Sequence, residues 1–388
     1  MGKIIVVGAG FSGSVIAREI AEKLDREVIV VDKRNHVAGN MYDEVDSHGI
    51  SIHKYGPHVL VTNRWSIIKY LSRFSTLYKH TVKELSYIDE QYIRLPFNFE
   101  SVQQLIGGEK AESLINKLRK EFAGEDRVAV LRLANNEDKE IASFGNLLFD
   151  KAYKTYCAKQ WDVPVETLGK EIMDRVPMAM NYDERYMNKD FQFLPIEGYE
   201  ALFKNMLDHK NITIRLGEDA LNHIVLNEVD REIYYDGELI DLLVFTGAVD
   251  ELFNLKYGEL PYRSLKITYE WFDDYRIYPE EIISYPQAVG YTRKTEYKFM
   301  MNSYDNCIGT TVATEYPVAY EKEKGLAPFY PVITEENLNK YQLYKEEASK
   351  YGNIFLSGRL ADFKYYNMDD CIIHAFGVFE EIKKFVLK

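Results

Sequence analysis

Three glycines and one carboxylate near the start of the chain have the spacing of a phosphate-binding turn. Gly8, Gly10 and Gly13 follow the β-favouring run Ile4, Ile5, Val6, Val7 and open a segment with apolar positions at Val15, Ile16, Ile20 and Leu24. A second apolar run, residues 28–31, ends on Asp32. Strand, glycine turn, helix, strand and terminal carboxylate is the order that a dinucleotide site requires. Gly8 permits the tight turn, Gly10 lets the backbone approach a pyrophosphate, and Gly13 lets the helix pack on the strand. The helix N-terminus offers free N–H groups to the phosphates, and Asp32 is placed to accept ribose hydroxyls. An ordinary tight turn without a ligand leaves the matching elements on both sides unexplained. The motif by itself does not choose between NAD and FAD.

The elements that must hold such a site are spread along a chain of 388 residues, long enough for two or three domains. Composition is that of a globular protein, 46% hydrophobic and 28% charged, with no apolar run of membrane-spanning length. The chain reads as a strand within three residues of its start, so no signal peptide is expected. Cys157, Cys307 and Cys371 are scattered, with no metal-ligand spacing and no even disulfide set, so a reducing cytoplasm is the expected setting and no metal site is expected. The net charge of −13 argues against broad nucleic-acid binding. An anionic nucleotide ligand then needs a few placed arginines. Thirty tyrosines against three tryptophans would suit a pocket that stacks a base and hydrogen-bonds a sugar.

Further along, 65–74 has helical spacing, and 102–168 reads as an inserted helical region with turns at Gly107-Gly108, Gly124 and Gly145. Strand patterns follow at 212–216, 232–237, 242–247 and 264–271, with more strand signal to about residue 314. A helix over 335–351, a buried strand over 353–359 ending at Gly358-Arg359 and a last helix over 370–388 complete the reading. The expected fold is α/β: a split Rossmann-like FAD domain with an inserted helical domain and an antiparallel β-sheet domain. The expected boundaries are 1–80, 212–258 and 338–388 for the FAD domain and 100–178 for the helical domain with a mobile substrate loop. The sheet domain takes 81–99, 179–211 and 259–337.

Several separate motifs then carry a family resemblance. They are Asp-Lys-Arg-Asn-His-Val-Ala-Gly-Asn (32–40), His-Lys-Tyr-Gly-Pro-His (53–58), Arg-Leu-Pro-Phe-Asn (94–98), Tyr-Cys-Ala-Lys-Gln-Trp (156–161) and Pro-Ile-Glu-Gly-Tyr (195–199). Tyr-Arg-Ser-Leu (262–265), Tyr-Thr-Arg (291–293), Thr-Glu-Tyr-Pro (314–317) and Gly-Arg-Leu-Ala-Asp-Phe-Lys-Tyr-Tyr-Asn-Met-Asp (358–369) continue the series. In this order, over essentially the whole chain, they resemble the UDP-galactopyranose mutases. The resemblance implies an isomerase without net redox: N5 of reduced FAD attacks the anomeric carbon and displaces the nucleotide diphosphate. The sugar opens, recloses through another hydroxyl and is released by the returning diphosphate. It also implies a nucleotide-sugar substrate, an electron donor such as a flavin reductase or NAD(P)H, and a homodimer.

Residue by residue, the resemblance implies that Arg175 and Arg293 clamp the diphosphate, a task suited to a guanidinium fork that keeps its charge. Tyr156 and Trp161 match residues bordering the nucleobase, and Tyr186, Tyr316 and Tyr365 match tyrosines on the diphosphate. Phe11, Asp32, Lys33, Asn40, His58, Val59, Arg359, Asn367, Met368 and Asp369 match positions along the FAD, beside Gly8, Gly10 and Gly13. His58 is expected next to the isoalloxazine with a role in catalysis, and residues 164–190 are a candidate lid. Taken bare, most of these residues have a bland reading, since a lone arginine is usually a solvated charge and helical aromatics usually face a core.

The chain departs from the family at three places. The usual Gly-Pro-His-Ile-Phe-His-Thr becomes Gly56-Pro57-His58-Val59-Leu60-Val61-Thr62, a sugar-side asparagine aligns with Val82, and Tyr-Tyr-Asp-Met becomes Tyr365-Tyr366-Asn367-Met368. Methyl groups in place of polar ones favour a sugar lacking a hydroxyl, so dTDP-fucopyranose stands beside UDP-galactopyranose as the expected substrate. An FAD oxidoreductase of the amine-oxidase type is the alternative. A flavin-binding protein without catalysis is disfavoured by the arginine pair.

Overall fold

The computed structural model describes residues 2–161, 177–304 and 307–387. Its first sheet is built on five parallel strands in the order Ile212–Leu216, Val28–Asp32, Lys3–Val7, Glu238–Phe245 and Ile354–Leu356. Parallel strands are covered on both faces, which is why Ile4, Ile5, Val6, Leu242, Leu243 and Val244 are fully buried and read as unbroken apolar runs. Helices Phe11–Lys23 and Met368–Val386 cover one face through Val15, Ile16, Ile20, Ile372, Ala375 and Phe379. Helix Glu335–Ser349 closes the other with Tyr344 and Ala348 against Leu243 and Phe245. Strand Glu238–Phe245 also pairs antiparallel with Glu232–Tyr235 across a two-residue turn, Asp236 (φ 52°) and Gly237 (φ 76°). Positive φ at both turn residues matches the twist of the flanking strands, so the two expected strands form one hairpin.

A second seven-stranded sheet has the order Tyr330–Pro331, Tyr262–Phe272, Thr310–Ala319, Arg293–Glu296, Ile282–Ser284, Glu84–Ile88 and Gln91–Leu95. All its pairings are antiparallel except that between Ile282–Ser284 and Glu84–Ile88. Its register sets Ser86, Ser284, Arg293 and Glu315 side by side in one transverse row. Between Asn98, which caps helix Phe99–Ile106 in a reciprocal capping box, and Trp161 the described chain is mainly helical, with its own core around Leu114, Ile115, Leu118, Phe144 and Leu148. A wider π-helical turn, Phe149–Lys154, leads into helix Thr155–Trp161.

One part of the expected domain division differs. Residues 179–211 are expected in the sheet domain, yet strand Phe191–Pro195 pairs with Leu60–Thr62 and Leu77–Lys79 in a separate three-stranded sheet. Helix Gly198–Leu207 packs into the core of the parallel-sheet domain, Phe203 meeting Phe11 with ring centroids 4.7 Å apart. Five buried side chains, Tyr199, Leu202, Phe203, Met206 and Leu207, decide its place, because the apolar face must be covered wherever a complementary face is available.

Candidate active site

Two adjoining clefts hold most of the candidate residues. The first, of about 1210 Å³, opens at the carboxyl ends of the parallel strands. Gly8, Gly10, Phe11, Asp32, Lys33, Asn40, His58, Arg359 and Met368 line it. The glycines divide the labour as their chemistry suggests. At Gly8 (φ 104°) a Cβ would lie 2.0 Å from Thr246 Oγ1, and at Gly13 one would lie 1.9 Å from the Gly8 carbonyl oxygen. At Gly10 it would meet nothing nearer than Gly39 Cα at 3.7 Å, so the missing side chain there leaves room on the cleft side. Gly10 is also the N-cap of helix Phe11–Lys23 and has no side chain to occupy the helix end. Asp32 accepts from the Ala9 N–H at 2.8 Å and the Arg34 N–H at 2.9 Å, which fixes the carboxylate while leaving acceptor capacity for ribose. Asn40 accepts from the Arg34 guanidinium at 2.8 Å, and that guanidinium covers the Tyr55 ring at 4.3 Å.

The His58 Nδ1–H donates to the Gly56 carbonyl at 2.7 Å, and the His58 backbone N–H donates to His53 Nδ1 at 3.0 Å. Burial, aided by the Arg359 and Arg293 charges, pushes the His58 imidazole down to about 4, so the ring is neutral near pH 7. Burial pushes His53 down to about 3.

The second cleft, of about 1040 Å³, brings together Tyr156, Trp161, Tyr186, Arg293 and Tyr365. Arg293 donates from Nε and Nη2 to the two carboxylate oxygens of Glu315, both at 2.9 Å. The carboxylate beside it holds the guanidinium charged despite burial. Burial pushes the Tyr156 phenol far above its ordinary value, so it stays a neutral donor. Tyr330 stacks on Tyr365 with ring centroids 5.6 Å apart and planes 6° apart, and Trp161 meets Tyr330 edge-on at 6.0 Å. The Arg359 guanidinium sits over both tyrosines, 4.8 Å from the Tyr330 centroid and 4.7 Å from that of Tyr365. Arg359 lines the first cleft and the two tyrosines line the second, so this stack forms their shared wall.

Other expected residues lie elsewhere. Tyr316 is half-buried against Tyr291, outside the residues lining either cleft. It follows Glu315 on an extended strand, and period-two alternation sends it to the opposite face. Tyr330 lines the second cleft instead, a residue that sequence spacing does not single out. Val61 and Val82 also lie outside both linings: Val61 is half-buried on Leu60–Thr62 opposite Gln192, and Val82 is buried with its N–H donating to Gln192 Oε1. Gly13 and Val59 pack against their own domain, Asn367 caps helix Met368–Val386, and buried Asp369 lies 3.8 Å from Arg64. Arg175 lies outside the described residues, as does much of the candidate lid. Glu84, Ser284 and Glu315 also line the second cleft; Glu315 lies in the Thr-Glu-Tyr-Pro motif, and the alternation Glu84, Ser86 on a strand is the sequence trace of Glu84. Among the described residues no cluster of three or more His, Cys, Asp or Glu is placed to hold a metal ion, and no helix is long and apolar enough to cross a membrane.

Comparison with known proteins places this geometry. The family model described as UDP-galactopyranose mutase matches residues 151–365. The chain belongs to the UDP-galactopyranose mutase family. A model for an NAD(P)-binding Rossmann-like domain matches residues 6–74, the glycine turn and its flanking strands. The dTDP-fucopyranose mutase of Escherichia coli is 30% identical over 379 residues, covering 97% of both chains. The UDP-galactopyranose mutase of Mycoplasma genitalium is 31% identical over 379 residues, covering 95% of this chain and 92% of the relative. The crystal structure of a reduced UDP-galactopyranose mutase shares the fold with a TM-score of 0.77 at 14% identity, covering all of this chain and 95% of the other.

Proposed function

We propose that the protein is an FAD-dependent mutase interconverting the pyranose and furanose forms of a nucleotide-diphosphate sugar. The observation that carries the reading is the shared wall: a dinucleotide cleft and an arginine–tyrosine cleft meet at the Arg359, Tyr330 and Tyr365 stack. A sugar bound with its diphosphate near Arg293 is then placed next to the end of a cofactor seated along Gly10 and Asp32.

The residues of the first cleft fit FAD. Gly10 leaves open backbone at a helix N-terminus for the pyrophosphate, Asp32 retains acceptor capacity for ribose, and neutral His58 closes the cleft toward Arg293. Reduced flavin, when bound, supplies a nucleophilic nitrogen for the anomeric carbon. The chain's own part is positional and electrostatic. Arg293 holds positive charge where the leaving diphosphate gains negative charge, and the tyrosine phenols donate to its oxygens. Arg175 is assigned the partner role by family position. The electron donor is a reductase or NAD(P)H, and the assembly a homodimer, on the same basis.

The choice of sugar does not rest on Val61 and Val82, which lie outside the described linings. We infer a substrate from the pair named by the relatives, UDP-galactopyranose and dTDP-fucopyranose. The test is to incubate dithionite-reduced enzyme with each nucleotide sugar and resolve furanose product by chromatography. Conversion of either without net consumption of reductant is the expected result. Oxygen- or NADP-coupled turnover with no furanose product would instead establish the oxidoreductase alternative. Loss of conversion in Arg175→Ala and Arg293→Ala with FAD still bound is expected, and unchanged conversion would remove their assigned role.

A further inference from the structure

Glu84 is an expensive residue to bury where it stands. It is 2% exposed, lines the second cleft beside Leu95 and Phe97, and takes one hydrogen bond among the described residues, from the Ser284 hydroxyl. A buried carboxyl with a single donor is poorly compensated, and such a cost in a cleft wall is a mark of function. The strand register explains its direction. Glu84 and Ser86 are two residues apart on one strand, and Ser86, Ser284, Arg293 and Glu315 form the transverse row that floors the cleft.

The charges around it do not favour an added anion. Among the described residues Arg293, on the strand two places away, is the cation that acts on Glu84, and its Nε and Nη2 are both engaged by Glu315. Glu315 and Glu281, which precedes Ile282–Ser284, add negative charge, while Tyr156 contributes a neutral phenol and Tyr186 also lines the cleft. If Glu84 were ionised, a diphosphate near Arg293 would face two carboxylates, Glu84 and Glu315. A proton on Glu84 removes one of those charges and creates an O–H donor.

We propose that Glu84 takes up a proton from solvent as an anionic nucleotide sugar enters the cleft, and that the neutral acid then donates a hydrogen bond to an oxygen of that ligand. The proposal rests on the nucleotide-sugar reading above. Burial already displaces Glu84 upward from the ordinary carboxylate range, the Ser284 hydrogen bond and the Arg293 charge opposing it. The geometry thus supplies a carboxyl that is poised to change state, and the ligand supplies the charge that changes it.

The experiment uses FAD-loaded, oxidised enzyme, so that binding proceeds without turnover. UDP-galactose and dTDP-fucose are titrated calorimetrically between pH 5.5 and 8 in buffers of different ionisation enthalpy; their diphosphate diesters exchange no proton near neutrality. Wild-type protein is expected to take up protons on binding. Above the pH at which free Glu84 has lost its proton, its affinity falls by up to about tenfold per pH unit. Glu84→Gln is expected to bind with no uptake and a flat pH profile. Ser284→Ala, which removes the donor that favours the charged form, moves the uptake window to higher pH and tests the same linkage without altering Glu84. Binding without uptake in wild type, equal uptake in Glu84→Gln, or an unmoved window in Ser284→Ala would each overturn the proposal while leaving the nucleotide-sugar reading intact. Failure of both nucleotide sugars to bind wild-type protein would overturn that reading, and this proposal with it.

Discussion

Removing the Arg293 guanidinium should cost stability as well as activity, and the two losses can be separated. Glu315 is 2% exposed, and both its oxygens are held by Arg293 at 2.9 Å. Two charge-assisted hydrogen bonds at about 1.5–3 kcal/mol each predict a loss of roughly 3–6 kcal/mol when the donor disappears. The penalty for stranding one member of a buried ion pair, about 3–5 kcal/mol, is of the same size. Arg293→Ala is therefore expected to lose about 3–5 kcal/mol in urea unfolding. Glu315→Gln added to it should recover much of that loss, because the stranded charge is gone. Arg293→Lys, which keeps the charge and gives up one leg of the fork, should fall between. Turnover follows a different order: Arg293→Ala and the double variant should both lose on the order of 10²–10³ in kcat/KM, since neither presents a cation to the leaving diphosphate. Unfolding midpoints set against chromatographic turnover decide the matter. An Arg293→Ala protein as stable as wild type, or a double variant less stable than the single one, would refute the buried-pair argument.

Further outcomes follow from the same geometry. Gly10→Ala should fold and fail to retain flavin, because its Cβ meets no protein atom within 3.4 Å yet fills the phosphate side of the turn; Gly13→Ala, whose Cβ would lie 1.9 Å from the Gly8 carbonyl oxygen, should lose stability itself, as thermal unfolding and flavin absorbance will show. Tyr330→Phe should raise KM for the nucleotide sugar by roughly tenfold, about the worth of one hydrogen bond, while Tyr316→Phe leaves it unchanged, and steady-state kinetics on both variants checks the reassignment. His53, with a folded pKa of about 3 against 6.5 when free, favours the folded state fully above pH 6.5 and progressively less as pH falls toward 3. The melting-temperature gap between wild type and His53→Asn should accordingly narrow from pH 7 to pH 4, and a gap that widens on acidification would contradict the assigned sign.

Much of the fold was legible in local pattern. The opening strand, turn and helix follow from unbroken apolar runs and glycine spacing, since those signals are local and a parallel strand must be buried on both faces. Helix Gly198–Leu207 packs on the parallel-sheet domain and not on the expected sheet domain, because amphipathic periodicity says that a face is buried and is silent on what covers it. Tyr316 and Tyr330 illustrate the same limit within the site. Both are tyrosines next to a proline, and only strand direction and register tell which one faces the cleft.

The sequence by itself determined the Rossmann-like glycine turn and the family, because Gly8, Gly10, Gly13 and Asp32 act through backbone geometry within one short stretch and the motif order is read along the chain. The tertiary structure alone decided which strand residues join Arg293 in the second cleft. Glu84, Ser284, Arg293, Glu315 and Tyr330 come from five separate strands, and sheet register makes them neighbours. The physical reason is that pairing between distant strands is selected by the burial of whole faces, a property of the assembled sheet that no single stretch of residues contains.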